Sequence, residues 1–450
     1  MKPFFANPQS ISSLKTDQTS LLSALDIVLQ QRRLDSDSLI DFQTRTIKKL
    51  LEYAYQNIPF YHQKYDAIGF HPSQFHDISD IHKIPMLTKQ ELRGTNLREL
   101  CVPQHVEKYL ELATSGSSGS PIHVWRSENV MWQFSAYNLS LYHEWCQGKP
   151  LANVLYFLDP TSHTIDYALG KQLRATVGEE RIQSAFAPLA VQVEKVLEIQ
   201  PEFISSYPTT MRNIAGWFNR CGKTIKSLKL LHLTSESMDL LTRHLLERVF
   251  PNARIIESYT STEAGLVGYS CLTDCGFHLA ETQVYAEIVD EKGDPTKSTG
   301  KIVVTDLTNR ATPMIRYSGL EDFCRWAESP CGCHTSNRRI ADMEGRLIDS
   351  VVLADGSSQS PYALTNAMGG IEGILAYQII QEKISVFRVR IVPDSAQPME
   401  KSSLEEQILT ALSSALNEKI SCKVIIESEI LPAPGAHKLP LVISLVSRKL

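Results

Sequence analysis

The sequence predicts an α/β protein with a large N-terminal domain, residues 1–345, and a small α+β C-terminal domain, residues 346–450. Three observations point there. Through the middle of the chain, helix-like patterns alternate with short, mainly apolar runs at Asn153–Leu158, Phe203–Tyr207, Leu228–Leu233 and Ile255–Tyr259. Such runs between helices read as buried strands of a layered sheet. After about Val284 the pattern turns to hairpins, and from about residue 347 the tail follows a strand–helix–strand logic of its own.

The elements follow in order. Residues 38–57 are helical, because Ile47, Leu50, Leu51 and Ala54 fall at i, i+3, i+4 and i+7 and the pattern stops before Pro59. Tyr285–Val289 and Lys301–Thr305 read as two strands joined by the turn-rich EKGDPTKSTG. Val351–Leu353 followed by Ala-Asp-Gly is a second hairpin signal. In the tail, Phe387, Val389 and Ile391 alternate with Arg388 and Arg390, as on a half-buried strand. A helix follows, with Ser402 and Glu405 at capping-box spacing and Leu404, Ile408, Ala411, Leu412 and Ala415 on one face. Val424–Ile426 and Leu441–Val446 are the last strand-like runs. No internal repeat or low-complexity tract interrupts this order.

Composition narrows the function classes. A chain of 450 residues exceeds one ordinary domain. Its 45 Lys and Arg against 50 Asp and Glu offer no broad grip on nucleic acid or an anionic membrane. No apolar run approaches the roughly 20 residues that span a bilayer, and the N-terminus lacks a signal-peptide core. Nine scattered cysteines argue against a disulfide framework. The expectation is a soluble, reduced, cytoplasmic protein.

Two stretches carry chemistry. In Leu112-Ala-Thr-Ser-Gly-Ser-Ser-Gly-Ser-Pro121, six of ten residues are Ser or Gly. Glycines let successive N–H groups turn toward an anion, and hydroxyls add donors at the same spot. A flexible linker has the same composition, but would not explain the apolar segments on either side. The second stretch, Ile255-Ile-Glu-Ser-Tyr-Thr-Ser-Thr-Glu-Ala-Gly265, brings a carboxylate and hydroxyls to the end of a buried strand, where a Mg²⁺–nucleotide complex could be met. Ser-Thr-Glu is also an ordinary helix N-cap signal.

Together these stretches resemble the phosphate loop and the Y-G-x-T-E motif of the adenylate-forming superfamily. Thr305-Asp-Leu-Thr-Asn-Arg-Ala-Thr-Pro-Met-Ile-Arg-Tyr-Ser-Gly-Leu-Glu-Asp322 is similar to the ribose-binding segment of its phenylacetate–CoA ligase branch. Glu344-Gly-Arg-Leu-Ile-Asp349 is similar to the hinge between its two domains, and Leu50–Leu92, with IPFYHQKY and IPMLTKQEL, also looks like that branch. The resemblance runs from about residue 40 to the end. It implies a large adenylate-forming domain with a small mobile one, and ATP at Thr114, Ser115, Gly116, Ser117, Ser118, Gly119, Tyr259, Thr260, Ser261, Asp322 and Arg346. It implies that Thr262 contacts phosphate and Glu263 binds Mg²⁺. Lys438, in the loop Leu431-Pro-Ala-Pro-Gly-Ala-His-Lys438, would reach the substrate carboxylate and the α-phosphate. A single ammonium there lowers the repulsion between a carboxylate and the triphosphate it attacks.

This sequence departs from the pattern in places. Ser120 stands where a lysine is usual, Thr260 where a glycine is usual, and His437 beside the lysine where a glycine is usual. Either Glu321 or Asp322 could be the ribose carboxylate, with Asp322 preferred.

Cys271, Cys275, His278, Cys331 and Cys333 form two clusters about fifty residues apart. Cys271, His278, Cys331 and Cys333 can supply the four ligands of a closed structural zinc. Cys275 or His334 could replace one of them, and unpaired thiols are the plain alternative. Some phenylacetate–CoA ligase relatives look similar here.

The expected activity is that of an AMP-forming acid–thiol ligase. An organic acid, aryl or arylacetic, reacts with ATP to give an acyl-adenylate, and coenzyme A takes the acyl group. Alternatives are a stand-alone adenylating enzyme that passes the acyl group to a carrier protein or an amine, and a non-catalytic nucleotide-binding relative. The expected partners are a small carboxylic acid and coenzyme A or an acyl carrier protein, with no nucleic acid and no membrane. A homodimer is compatible with the sequence.

Overall fold

The computed structural model describes residues 15–102, 108–114, 121–149, 151–273, 276–333, 335–346, 350–430 and 439–446, except for the side chains of 15–19, 175–176, 342 and 344–346. The N-terminal segment is helical: α1 (Lys15–Gln31), α2 (Ser36–Asn57), α3 (Pro59–Ile68) and α4 (Lys89–Gly94). Asp35 caps α2 by accepting from the Ser38 amide, and Ile47, Leu50, Leu51 and Ala54 are buried, as the periodicity predicts. Next comes an antiparallel hairpin, β1 (Tyr109–Ala113) and β2 (His123–Ser127), whose connection holds the Ser/Gly stretch, and then α5 (Glu128–Trp145).

The alternating middle gives β3 (Val154–Leu158), α6 (Ile165–Val177), β4 (Ile182–Ser184), α7 (Leu189–Ile199) and β5 (Phe203–Ser206). It continues with α8 (Pro208–Arg220), β6 (Leu230–Thr234), α9 (Leu240–Val249) and β7 (Arg254–Ser261). These strands pair in parallel in the order β4-β3-β5-β6-β7. Their residues alternate between two apolar layers: Val154, Tyr156 and Leu158 join one core, Leu155 and Phe157 the other. Burial on both faces explains why these runs read as continuously apolar. The chain steps from β3 outward to β4 and returns past β3 to β5, the kind of reversal at whose strand ends ligands are bound in such sheets.

The change of pattern near Val284 does not begin a new sheet. β8 (Gly265–Ser270), β9 (Phe277–Leu279), β10 (Val284–Val289), β11 (Gly300–Asp306), β12 (Asp322–Trp326) and β13 (Arg339–Arg346) extend the same sheet to eleven strands, ordered β10-β11-β12-β13-β9-β8-β7-β6-β5-β3-β4. The expected hairpin is β10–β11, with Val289 opposite Lys301.

The tail forms β14 (Val351–Val352), β15 (Ser358–Gln359), α10 (Pro361–Gly369), β16 (Ile374–Lys383), β17 (Val386–Pro393), α11 (Lys401–Leu416), β18 (Ser421–Ile426) and β19 (Val442–Ser444). Its four-stranded sheet, β18-β17-β16-β19, packs with α10 and α11 around a core of its own. The Ser402–Glu405 capping box does not form. The helix starts earlier, with Glu400 at the N-cap and no side-chain cap, so Ser402 already lies inside the first turn.

One buried ion pair fastens the N-terminal segment to the large sheet. Arg316 and Glu287 are 3% and 5% exposed at the side chain, and the guanidinium reaches both carboxylate oxygens at 2.9–3.2 Å. Arg316 also donates to the His82 and Ile84 carbonyls, while its φ of 50° lets its own carbonyl accept from the Leu87 amide. Glu287→Ala leaves that guanidinium buried without its counter-charge. It should cost about 3–5 kcal/mol in urea unfolding, whereas Glu291→Ala, on the exposed turn, should cost under about 0.5 kcal/mol.

Candidate active site and metal centre

The site is built where β7 ends. Ser261 pairs with Gly265 across a turn of Thr262, Glu263 and Ala264, so the Ser-Thr-Glu stretch turns a hairpin and does not cap a helix. Gly265 takes φ 72°, which a side chain would strain. The Ser261 hydroxyl accepts from the Ala264 amide at 2.9 Å, and Thr260 meets Thr234 of β6, hydroxyl to hydroxyl, at 3.0 Å.

Two residues that the sequence analysis did not single out organise this turn. Arg126, on β2, is 2% exposed; it donates to the Thr262 and Glu263 carbonyls and lies 3.2 Å from the Asp306 carboxylate. Tyr317 donates to Glu263 Oε1 at 3.1 Å. Burial, and then the neighbouring Glu263 carboxylate, raise the Tyr317 pKa, so its phenol stays a donor. The only signal for either was a polar group inside an otherwise apolar run.

The two expected nucleotide residues from distant segments meet here. Tyr259 donates to Asp322 Oδ2 at 2.6 Å. Glu321 instead adopts φ 62° and pairs with Lys89 of α4 at 2.9 Å. Arg346 stands opposite Asp322 in the β12–β13 register, and its side chain is outside the described residues. Thr114 closes the neck of the Ser/Gly loop, its hydroxyl accepting from the Ile122 amide at 2.9 Å. Ser115, Gly116, Ser117, Ser118, Gly119, Ser120, His437 and Lys438 lie outside the described residues.

Beneath Tyr259 runs a polar ladder across three strands. His232 of β6 meets Ser205 of β5 at 2.9 Å and Ser258 of β7 at 2.8 Å, and the Tyr142 hydroxyl of α5 lies 3.2 Å from the same ring.

Cys271 at the end of β8, His278 of β9, and Cys331 and Cys333 between β12 and β13 converge, with all ligand atoms within 4.8 Å of one another. Tetrahedral zinc needs its ligand atoms about 3.3–3.8 Å apart. Here the Cys271 and Cys331 sulfurs are 3.4 Å apart, and Cys333 Sγ is 3.2 Å from His278 Nε2. His278 Nδ1 faces the Asn337 carbonyl at 3.3 Å, which leaves Nε2 toward the thiols. Gly276 is required beside it, since an added Cβ would lie 2.2 Å from the Ile340 carbonyl oxygen. The four residues therefore fit a closed zinc site. Cys275 and His334 lie outside the described residues.

No family model matches the chain. Over 336 residues it is 29% identical to a phenylacetate-coenzyme A ligase of Escherichia coli (strain K12), covering 70% of this chain and 73% of that one. In sequence the chain is similar to phenylacetate–CoA ligases. Its fold is shared with a 2-hydroxyisobutyryl-CoA ligase. In the postadenylation state, that ligase matches this chain with TM-score 0.79 and 16% identity, over 93% of this chain and 92% of its own. In the thioesterification state it matches with TM-score 0.62 and 16% identity, over 92% and 91%. Among the described residues no helix is long and apolar enough to cross a membrane.

Burial pushes the pKa of His232 down from 6.5 to about 3. The unfolded chain therefore binds a proton that the folded one refuses between those values. Stability from this residue is present above pH 6.5 and is lost as the pH falls toward 3. His232→Gln should flatten the fall in unfolding free energy between pH 6.5 and 4, measured by urea titration at each pH.

Proposed function

We propose that the chain activates an organic carboxylic acid with ATP through an acyl-adenylate and transfers the acyl group to coenzyme A. The observation that carries this reading is the meeting of Tyr259 and Asp322 beside the Glu263 turn, in a chain related to phenylacetate–CoA ligases. In the first step a carboxylate oxygen attacks the α-phosphorus of ATP and pyrophosphate leaves. In the second, the thiolate of coenzyme A attacks the acyl carbon and AMP leaves, a far better leaving group than oxide. An aryl or arylacetic acid is the favoured substrate, because the curated relatives are phenylacetate–CoA ligases.

The resemblance to adenylate-forming enzymes supports the following roles. Thr114–Gly119 would wrap the β- and γ-phosphates, and Thr262 would contact phosphate. Tyr259, Thr260 and Ser261 would border the adenosine. Asp322 is the better ribose ligand, since Glu321 is turned toward Lys89. Arg346, facing Asp322 across the strand pair, would share that task. Glu263 offers a buried hard oxygen that suits Mg²⁺, which supplies charge neutralisation at the phosphates. Lys438 would bring its ammonium to the carboxylate and α-phosphate. The large domain would end at residue 345. Support comes from β13, the last element of the eleven-stranded sheet, and from Val351, which already belongs to the small core. A cytoplasmic location accords with nine cysteines scattered along the chain.

Pyrophosphate exchange over a panel of aromatic and arylacetic acids, followed by a thioester assay with free coenzyme A, tests the reading. Exchange with no acid on the panel would refute it, and exchange without a thioester product would exclude coenzyme A as acceptor. Lys438→Ala should lower exchange about 10²-fold or more with the melting temperature unchanged.

Cys271, His278, Cys331 and Cys333 would hold a structural zinc, with no position left open for water or substrate. Metal analysis of chelator-free protein should find about one zinc per chain. The double variant Cys331→Ser with Cys333→Ser should lose the metal and melt at lower temperature, while its soluble fraction keeps its affinity for ATP.

A further inference from the structure

The small unit meets the helices of the large one through a polar contact set among apolar side chains. Asp394, directly after β17, is 1% exposed. It accepts from Arg248 of α9 at 2.5 Å and from Asn219 of α8 at 2.8 Å, and Arg248 also reaches Gln397 at 2.8 Å. Both donors stand in the last turns of their helices, where the backbone partial charge is negative and repels a carboxylate. Asp394 also accepts from the Ala396 amide of its own unit at 2.9 Å, and Arg248 and Asn219 are the side chains that offset its charge against the two helix ends. Around it Leu375 packs in the cluster that includes Trp217 and Val392, and Leu241 packs in the core of the small unit. At Gly369 an added Cβ would lie 2.5 Å from Leu240 Cβ, so α10 rests directly on the start of α9.

The 2-hydroxyisobutyryl-CoA ligase matches this chain with TM-score 0.79 in one structure and 0.62 in another, over nearly equal shares of its length. The polypeptide is the same, so the two structures differ in how its parts are placed. This chain stands nearer the postadenylation one.

Taking the acyl-adenylate reading above as given, we infer that Arg248 and Asn219 are positioning residues for adenylation. They hold the small unit through Asp394 in the arrangement that makes the acyl-adenylate, and this contact opens before the thiol step. Neither residue belongs to the nucleotide or metal sites, and both act through the unit that carries the Lys438 loop. A carboxylate left against two helix ends without its partners disfavours the docked arrangement, which makes the contact a two-position device and more than a surface ion pair.

Amide hydrogen exchange of the full chain tests this without any substrate. In Arg248→Ala with Asn219→Ala, peptides spanning 240–249 and 369–377 should exchange roughly tenfold faster or more, while those of β5 and β6 keep wild-type protection. Arg248→Lys should retain most of the protection. Unchanged interface peptides would overturn the inference, and so would faster exchange throughout the chain, which marks a purely structural pair. A second measurement uses phenylacetate and phenylacetyl-adenylate as probes. The double variant should lose pyrophosphate exchange but keep or raise its rate of thioester formation from added adenylate. Equal losses in both half-reactions would overturn the positioning role. A wild-type protein inactive on both probes would count against phenylacetate as the acid and leave the exchange result to decide the latch.

Discussion

Arg126 carries a guanidinium with almost no access to water, and three segments far apart in sequence converge on it. It sits on β2, just after the Ser/Gly loop; it holds the carbonyls of Thr262 and Glu263 at the hairpin turn; and it faces Asp306 at the end of β11. A charge buried to this degree is tolerated only beside a countercharge and hydrogen-bond acceptors. The strand β2, the turn and the end of β11 are therefore tied to one another through a single side chain. Glu263 points into the site because its backbone is pinned on one side by Arg126 and its carboxylate on the other by Tyr317.

The same economy governs the rest of the crevice. Parallel strands deliver their C-terminal ends to one edge of the sheet, and the antiparallel strands β8 to β13 continue that sheet past β7. Tyr259 and Asp322 are thereby brought within one hydrogen bond although 63 residues apart in sequence. The zinc-type cluster lies along the same extension. Its four residues come from β8, β9 and the β12–β13 connection, so a bound metal would brace strands whose pairing is short, β9 and β13 sharing only two register positions.

Much of the fold was legible in the sequence because burial writes a local period into it. Ile47 to Ala54, the apolar runs of β3, β5, β6 and β7 and the alternation of Phe387, Val389 and Ile391 are each dictated by which side of an element faces a core, and each appears in the structure. Capping at α11 was misread because Ser402 and Glu405 have the right spacing whether or not the helix begins there, and the start is set by packing of Leu404 onto the small sheet. The Ser-Thr-Glu stretch was ambiguous for a similar reason. A cap and a hairpin turn use the same hydroxylated residues, and only the pairing of β7 with β8 separates them.

The sequence by itself determined the α/β layering and the order of the motifs, and offered Cys271, His278, Cys331 and Cys333 as one of several ligand sets, since these follow from composition and spacing along the chain. Tertiary structure alone decided that the segments before and after Val284 share one eleven-stranded sheet and that Glu321 turns to Lys89 while Asp322 turns to Tyr259. It alone placed Arg126 beneath the turn and Asp394 between two helix ends. These are pairings between groups distant in sequence. A lone charge in an apolar run has no local period to announce it, and its partner is chosen only when the strands have closed around both.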